Sequence, residues 1–249
     1  MFEVPEKIDV CIITRCKVPR KCIQAIKQHI PYNKIIISNL PSRGAARQEC
    51  IEQVSTEKFA FIDDDVIVTK NWFKKMNFWL NKLNAGAVTG VPQLYPRTSA
   101  RKYMELLNKV SINFKSLPQP VDCLHTGACL IKTEAVKGIK IPPLVHHRED
   151  LYITEYIKSR GFKCWRVPVP FEHYAGGSWE TIYAENIANL RLLNKLNVKE
   201  YLKKISGSWL VTAKILVKCK EPRVIYWNVP RMFSIIRGYN WRKYAFVKP

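Results

Sequence analysis

Asp63, Asp64 and Asp65 stand in a row at the end of the apolar run Phe59-Ala60-Phe61-Ile62. Neighbouring carboxylates repel one another. A cation relieves that repulsion, and their oxygens are the hard ligands that Mg2+ or Mn2+ takes. The apolar run reads as a buried strand of a parallel α/β sheet, where ligands collect in the crevice beyond the carboxyl ends of the strands. A solvated acidic turn ahead of the helix starting near Asn71 would give the same triplet. A second carboxylate pair, Glu149-Asp150, opens another helix, whose N-terminal dipole favours the ionised form. That pair suits a proton acceptor, and equally a plain complement to the dipole.

The elements that must position these residues follow from hydrophobic period. Ile8 to Thr14 is a β-branched strand, Pro19 to Ile30 has helical spacing, and Lys34 to Ser38 is a second strand. Asn39 to Gly44 is a turn by composition, and a helix runs from Ala45 to about Val54. With the strand before the triplet, the order β-α-β-α-β predicts a doubly wound, mostly parallel sheet with helices on both faces. An amphipathic helix over Asn71 to Leu83 carries Trp72, Phe73, Met76, Trp79, Leu80 and Leu83 on one stripe. Strands follow at Ala87 to Val91, within Val121 to Lys132, and at Phe162 to Val169, with helices near Tyr103 to Val110, Glu149 to Ser159, and from Ser178 to about Leu196.

Composition narrows the partners. Forty-one Lys and Arg against twenty Asp and Glu leave +21, which calls for an anionic partner: nucleic acid, an acidic lipid surface or a phosphorylated substrate. No run reaches the roughly 18 apolar residues of a membrane span, and Glu3, Pro5, Glu6 and Lys7 interrupt any signal-type stretch at the start. The eight cysteines show no Cys-x-x-Cys pair, and Cys11 and Cys129 read as small core residues. The expectation is a reduced, cytoplasmic setting.

Ser42-Arg43-Gly44-Ala45-Ala46-Arg47, the segment Phe59 to Val68 and Asn71-Trp72-Phe73 together resemble the core of glycosyltransferase family 2. His125 to Ile131 with Glu134-Ala135 resembles the stretch under that family's acceptor site, and Glu149-Asp150-Leu151 with Gly161-Phe162 resembles its Glu-Asp motif. The resemblance covers roughly Ile8 to Leu196 and implies a GT-A fold, sugar transfer from a nucleotide-sugar donor with inversion, and Mn2+ or Mg2+ as cofactor. By resemblance, Asp63 and Asp65 are the outer members of an Asp-x-Asp motif, with Asp65, Asp63 and His173 as metal ligands. Asp150 is the base and Glu149 holds hydroxyls beside it. Thr14, Arg15, Arg43, Arg47, Asp63 and Asp64 fall on the donor side, and His125, Thr126 and Gly127 on the acceptor side. Arg47 reads as well as a surface arginine, and His146 and His147 as solvated loop residues or further ligands. One departure stands out. The family's Asp-Asp-Gly-Ser-like segment after the second strand is missing, since Ser38-Asn39-Leu40-Pro41 runs almost directly into Ser42. The nucleoside pocket is therefore shortened or rebuilt, and the donor's identity does not carry over.

Two regions are expected: a catalytic domain over 1–196 and a basic, aromatic helical extension over 197–249. From Lys199 to Lys248 the basic residues meet only Glu200 and Glu221 as acids, interleaved with Trp209, Tyr226, Trp227, Phe233, Trp241 and Tyr244. That mixture suits an anionic membrane surface at the inner face of the cell membrane, and with it a glycan or lipid-linked acceptor. It also suits a helical appendage with solvated charges. Two rival functions remain at this level: a GT-A-like protein that binds a sugar nucleotide or glycan without catalysis, and a basic nucleic-acid-binding protein.

Overall fold

The computed structural model describes residues 6–112, 116–143, 145–192 and 197–239. The expected helix end at Leu196, the loop residue Leu144 and the tail residues Trp241, Tyr244 and Lys248 lie outside the described residues. The chain forms two compact units. Of the described residues, the first holds 6–93, 116–143 and 149–173, and the second holds 94–112, 145–148, 174–192 and 197–239.

The first unit is a mixed sheet with helices on both faces. Its strands are β1 (Ile8–Ile13), β2 (Tyr32–Ser38), β3 (Lys58–Ile62), β4 (Val66–Val68), β5 (Ala87–Leu94), β6 (Gln119–Pro120), β7 (Ala128–Lys132) and β8 (Cys164–His173). The order is β2-β1-β3-β7-β5-β8-β4, with β6 beside β8. β1 pairs parallel with β2 and β3; β7 is inserted antiparallel between β3 and β5, so β5 runs the same way as the first three strands. The expected mostly parallel sheet is present in β2, β1, β3 and β5, interrupted by the reversed β7, while β4 and β6 each pair antiparallel with β8.

Alternation along the strands assigns the faces. Ile8, Val10 and Ile12 of β1 point to one core, with Cys22 and Ile26 of α1 (Arg20–His29) and Trp72, Met76 and Leu80 of α3 (Trp72–Lys82). Cys11 and Ile13 point to the other, with Ala46 and Cys50 of α2 (Arg43–Gln53) and Ile153 and Ile157 of α5 (Glu149–Ser159). Cys11 and Cys129 are fully buried among these apolar side chains. The buried carboxylate Asp9 is satisfied by Asn33, by the Ser55 hydroxyl and by the Ser55 amide at 2.7 Å.

The second unit is helical. It contains α4 (Ser99–Ser111), α6 (Glu185–Leu192) preceded by a wide turn at Glu180–Ala184, α7 (Val198–Cys219) and α8 (Arg223–Tyr239). Tyr103, Leu106, Ile215 and Val224 form its apolar centre. Among the described residues, no helix is long and apolar enough to cross a membrane.

Candidate active site

Strand register builds the site in the first unit. β3 and β7 pair so that Ile62 faces Ala128, and the residue after one strand therefore meets the turn before the other. The Asp63 amide donates to the Gly127 carbonyl at 2.8 Å. A Cβ placed on Gly127 would lie 2.9 Å from Asp63 Oδ2 and 2.7 Å from His125 Cε1, so close approach demands glycine here. The β4–β8 pairing does the same for the third aspartate. Val66 faces His173, and Asp65 Oδ1 lies 3.2 Å from His173 Nε2. Asp64 accepts a hydrogen bond from the Thr14 hydroxyl at the tip of β1. Three neighbours in sequence thus take partners from three different strand ends.

Arg47 is 1% exposed, which overturns its reading as a surface arginine. Its Nη2 donates to Asp63 Oδ1 at 2.6 Å and to Thr126 Oγ1 at 3.2 Å, and its guanidinium lies over the Phe61 ring. Arg43, one helical turn earlier, is exposed. Burial alone would raise the Asp63 pKa; Arg47 first, then Arg43, His125 and His173, outweigh it and hold the carboxyl below its ordinary range. Asp64 moves the other way, upward, through burial opposed by the Thr14 hydrogen bond and reinforced by Asp65 and Asp63. Burial, with the charge of His173, lowers His125 to about 4. Burial, then the neighbouring Asp150, pushes Glu149 up to about 7 against the pull of Arg43 and Arg47.

Glu149 and Asp150 begin α5, as expected. Glu149 is buried and Asp150 half-buried, its Oδ1 accepting the Leu151 amide at 2.7 Å. The Leu124 amide donates to Thr154 Oγ1 at 2.9 Å, tying the turn that carries His125, Thr126 and Gly127 to the same helix. His125 feels the charges of Asp63, Asp150 and Asp65, so the triplet and the Glu-Asp pair share one electrostatic site. Thr14 is buried and Arg15 exposed at the end of β1.

The donor atoms fit a divalent cation at Asp65 and His173. Their 3.2 Å separation is that of adjacent ligands on one ion about 2.1 Å from each. Buried His173 Nδ1 and His125 Nδ1 have no protein partner among the described residues. Asp63, by contrast, gives one oxygen to Arg47.

Sequence reasoning missed two contacts. Cys22 Sγ on α1 lies 3.7 Å from the Asp63 carbonyl. In the second unit, His146, His147 and Glu185 bring ligand atoms within 4.8 Å of one another, with a hydrogen bond joining His147 Nε2 and Glu185. Two imidazoles and a carboxylate are a metal donor set, so this second place could hold an ion. No local signal links Glu185 to a histidine pair 38 residues away.

Among solved structures, GalNAc-T7 with UDP, GalNAc and Mn2+ superposes with TM-score 0.56 at 12% identity, covering 83% of this chain and 51% of that one. Glucosyl-3-phosphoglycerate synthase from Mycobacterium tuberculosis, in complex with Mg2+ and UDP, gives 0.53 at 12% identity, covering 78% and 82%. Residues 1–349 of S. aureus TarS give 0.50 at 12% identity, covering 95% and 91%. The match thus spans about half the length of GalNAc-T7. At such identity these likenesses establish the fold. No curated protein sequence matches the chain. The model of glycosyl transferase family 2 matches residues 4–139, more than half of its length, and the chain belongs to that family.

Proposed function

We propose that this glycosyltransferase moves a sugar from a nucleoside-diphosphate sugar to a hydroxyl acceptor on a lipid carrier, with inversion and with a divalent cation at Asp65 and His173. The observation that carries the reading is the convergence of the triplet, His173 and the Glu149-Asp150 pair on one electrostatic site. The UDP and metal bound in the two similar structures support the class of donor and cofactor. When bound, the cation, Mn2+ or Mg2+, neutralises charge developing on a diphosphate leaving group.

The chain's own residues supply the rest. Arg43, exposed beside the triplet, faces the donor's anionic part, with Thr14 and Arg15 at the nucleoside end and Asp64 held by Thr14. Arg47 keeps Asp63 ionised and fixed, so that this carboxylate presents one oriented oxygen to the donor. His125, Thr126 and Gly127 border the acceptor. Asp150 accepts the acceptor's hydroxyl proton as the new bond forms at the anomeric carbon and the bond to the diphosphate breaks on its opposite face. Glu149 holds hydroxyls beside it. The scattered spacing of the eight cysteines, with no Cys-x-x-Cys pair, supports a reduced, cytoplasmic setting.

Thermal unfolding against UDP, GDP, dTDP and CMP donors, each with and without Mn2+ or Mg2+, tests the reading. A ligand bound only to the native state stabilises it by about 2.7 kcal/mol at a hundredfold excess over Kd. A metal-dependent shift with one nucleotide, together with turnover that disappears in Asp150→Asn while the shift persists, is the expected result. A shift with no turnover in the parent would favour a non-catalytic binder. No shift at all would remove the donor site.

A further inference from the structure

The last two helices of the second unit bury polar side chains beside the apolar Tyr201, Ile215, Val224 and Ile235. On α8 the buried side includes Asn228, Arg231 and Ser234, and on α7 it includes Ser208 and Thr212. Several of these polar groups bond one another. Arg231 Nη1 donates to Tyr103 Oη at 2.9 Å and to Ser208 Oγ at 2.8 Å, and the Tyr103 and Thr212 hydroxyls are 2.9 Å apart. The outward side carries apolar stripes. Ile225, Tyr226, Val229, Phe233 and Ile236 are exposed on α8, and at about 100° per residue they fall on one stripe. Val198, Leu202, Trp209, Leu210 and Val217 make the corresponding stripe on α7. A helix packed in water keeps its large apolar side chains off its exposed side, and exposed apolar stripes of this kind mark a docking face.

The surrounding charge identifies the occupant. Lys199, Lys203, Lys214, Lys218, Arg223 and Arg237 are exposed around the stripes. The two acids of the segment, Glu200 and Glu221, are already paired with Lys203 and Arg223. We propose that the outer face of α7 and α8 docks on an anionic lipid bilayer, the helices lying in the interface with apolar side chains in the acyl boundary and cations at the lipid phosphates. Neither helix is long and apolar enough to cross instead. A second copy of the chain would bring the same cations against themselves across an isologous interface. Nucleic acid would match the charge and leave Leu210, Val229 and Phe233 without a partner. The proposal concerns the second unit's surface alone and does not depend on the transfer reaction.

Co-sedimentation of the full chain with vesicles tests it. One set is neutral phosphatidylcholine and the other contains phosphatidylglycerol, each at low and high salt. The chain should bind the anionic vesicles at low salt, weakly the neutral ones, and release with salt. The variant L210E/V229E/F233E changes only exposed positions and should keep the parent's circular dichroism and unfolding temperature while vesicle affinity falls about tenfold or more. Equal binding of variant and parent would reduce the effect to surface adsorption of charge and overturn the proposal. So would absence of vesicle binding with a concentration-dependent dimer, lost in the variant, in analytical ultracentrifugation.

Discussion

Arg47, buried on α2, holds Asp63 at 2.6 Å, so the first carboxylate of the triplet is compensated by the protein itself. Asp65, two residues on, has a histidine imidazole at 3.2 Å instead. The triplet is therefore asymmetric, with one end fixed by an internal cation and the other open to an external one.

That asymmetry makes Arg47 structurally costly to remove. Arg47→Met should destabilise the chain by about 3 kcal/mol, because a buried pair that loses one member leaves the other uncompensated. The figure belongs at the low end of such losses, since Asp63 retains 24% exposure. Urea unfolding checks it, and R47M/D63N should recover part of the loss. An unchanged midpoint in R47M would show that the pair contributes little.

The two candidate cation sites separate by mutation. Asp65→Ala and His173→Ala should each weaken Mn2+ binding, measured by calorimetry in the presence of nucleotide, about tenfold or more, or ~1.4 kcal/mol. Glu185→Gln should leave that affinity unchanged. The reverse pattern would move the ion to the His146, His147 and Glu185 cluster.

Glu149 and His125 should give opposite pH slopes of stability. Glu149, raised from 4.5 to about 7, binds a proton more readily when folded, so its contribution is full below pH 4.5 and fades as pH rises through 7. His125, lowered from 6.5 to about 4, contributes fully above pH 6.5 and fades as pH falls through 4. Between about pH 4.5 and 6.5 the two slopes oppose each other. Denaturant unfolding over that window should show stability rising with pH in Glu149→Gln and falling with pH in His125→Asn, each relative to the parent. Parallel profiles in both variants would contradict the two shifts.

Gly127→Ala should disturb the site more than its size suggests, because the added carbon would lie under 3 Å from both His125 and Asp63. One of them must move. The expected outcome is a loss of stability of about 1–3 kcal/mol by overpacking, with weaker nucleotide-dependent stabilisation. A variant crystal structure with Asp63 and His125 unmoved would refute the argument.

Much of this was legible in the chain. Runs such as Ile8 to Ile13 and Phe59 to Ile62, and helical stripes such as Trp72-Phe73-Met76-Leu80, name their elements because burial imposes a local period that sequence displays directly. The carboxylate triplet and the Glu-Asp pair announced their chemistry by adjacency alone. What adjacency does not encode is register. Asp65 meets His173 only because Val66 is set against His173 across β4 and β8, and Arg47 turns inward only because β3 and β7 bring Asp63 and Thr126 beneath it. The last helices were opaque for a related reason. Their buried face mixes polar with apolar side chains, and Arg231 reaches Tyr103 across 128 residues, so hydrophobic period alone does not tell the inward face from the outward one. The sequence by itself determined the elements and the reactive residue types. Tertiary pairing decided which of those residues face one another, since contact between distant positions depends on strand register and helix rotation and leaves no trace in local composition.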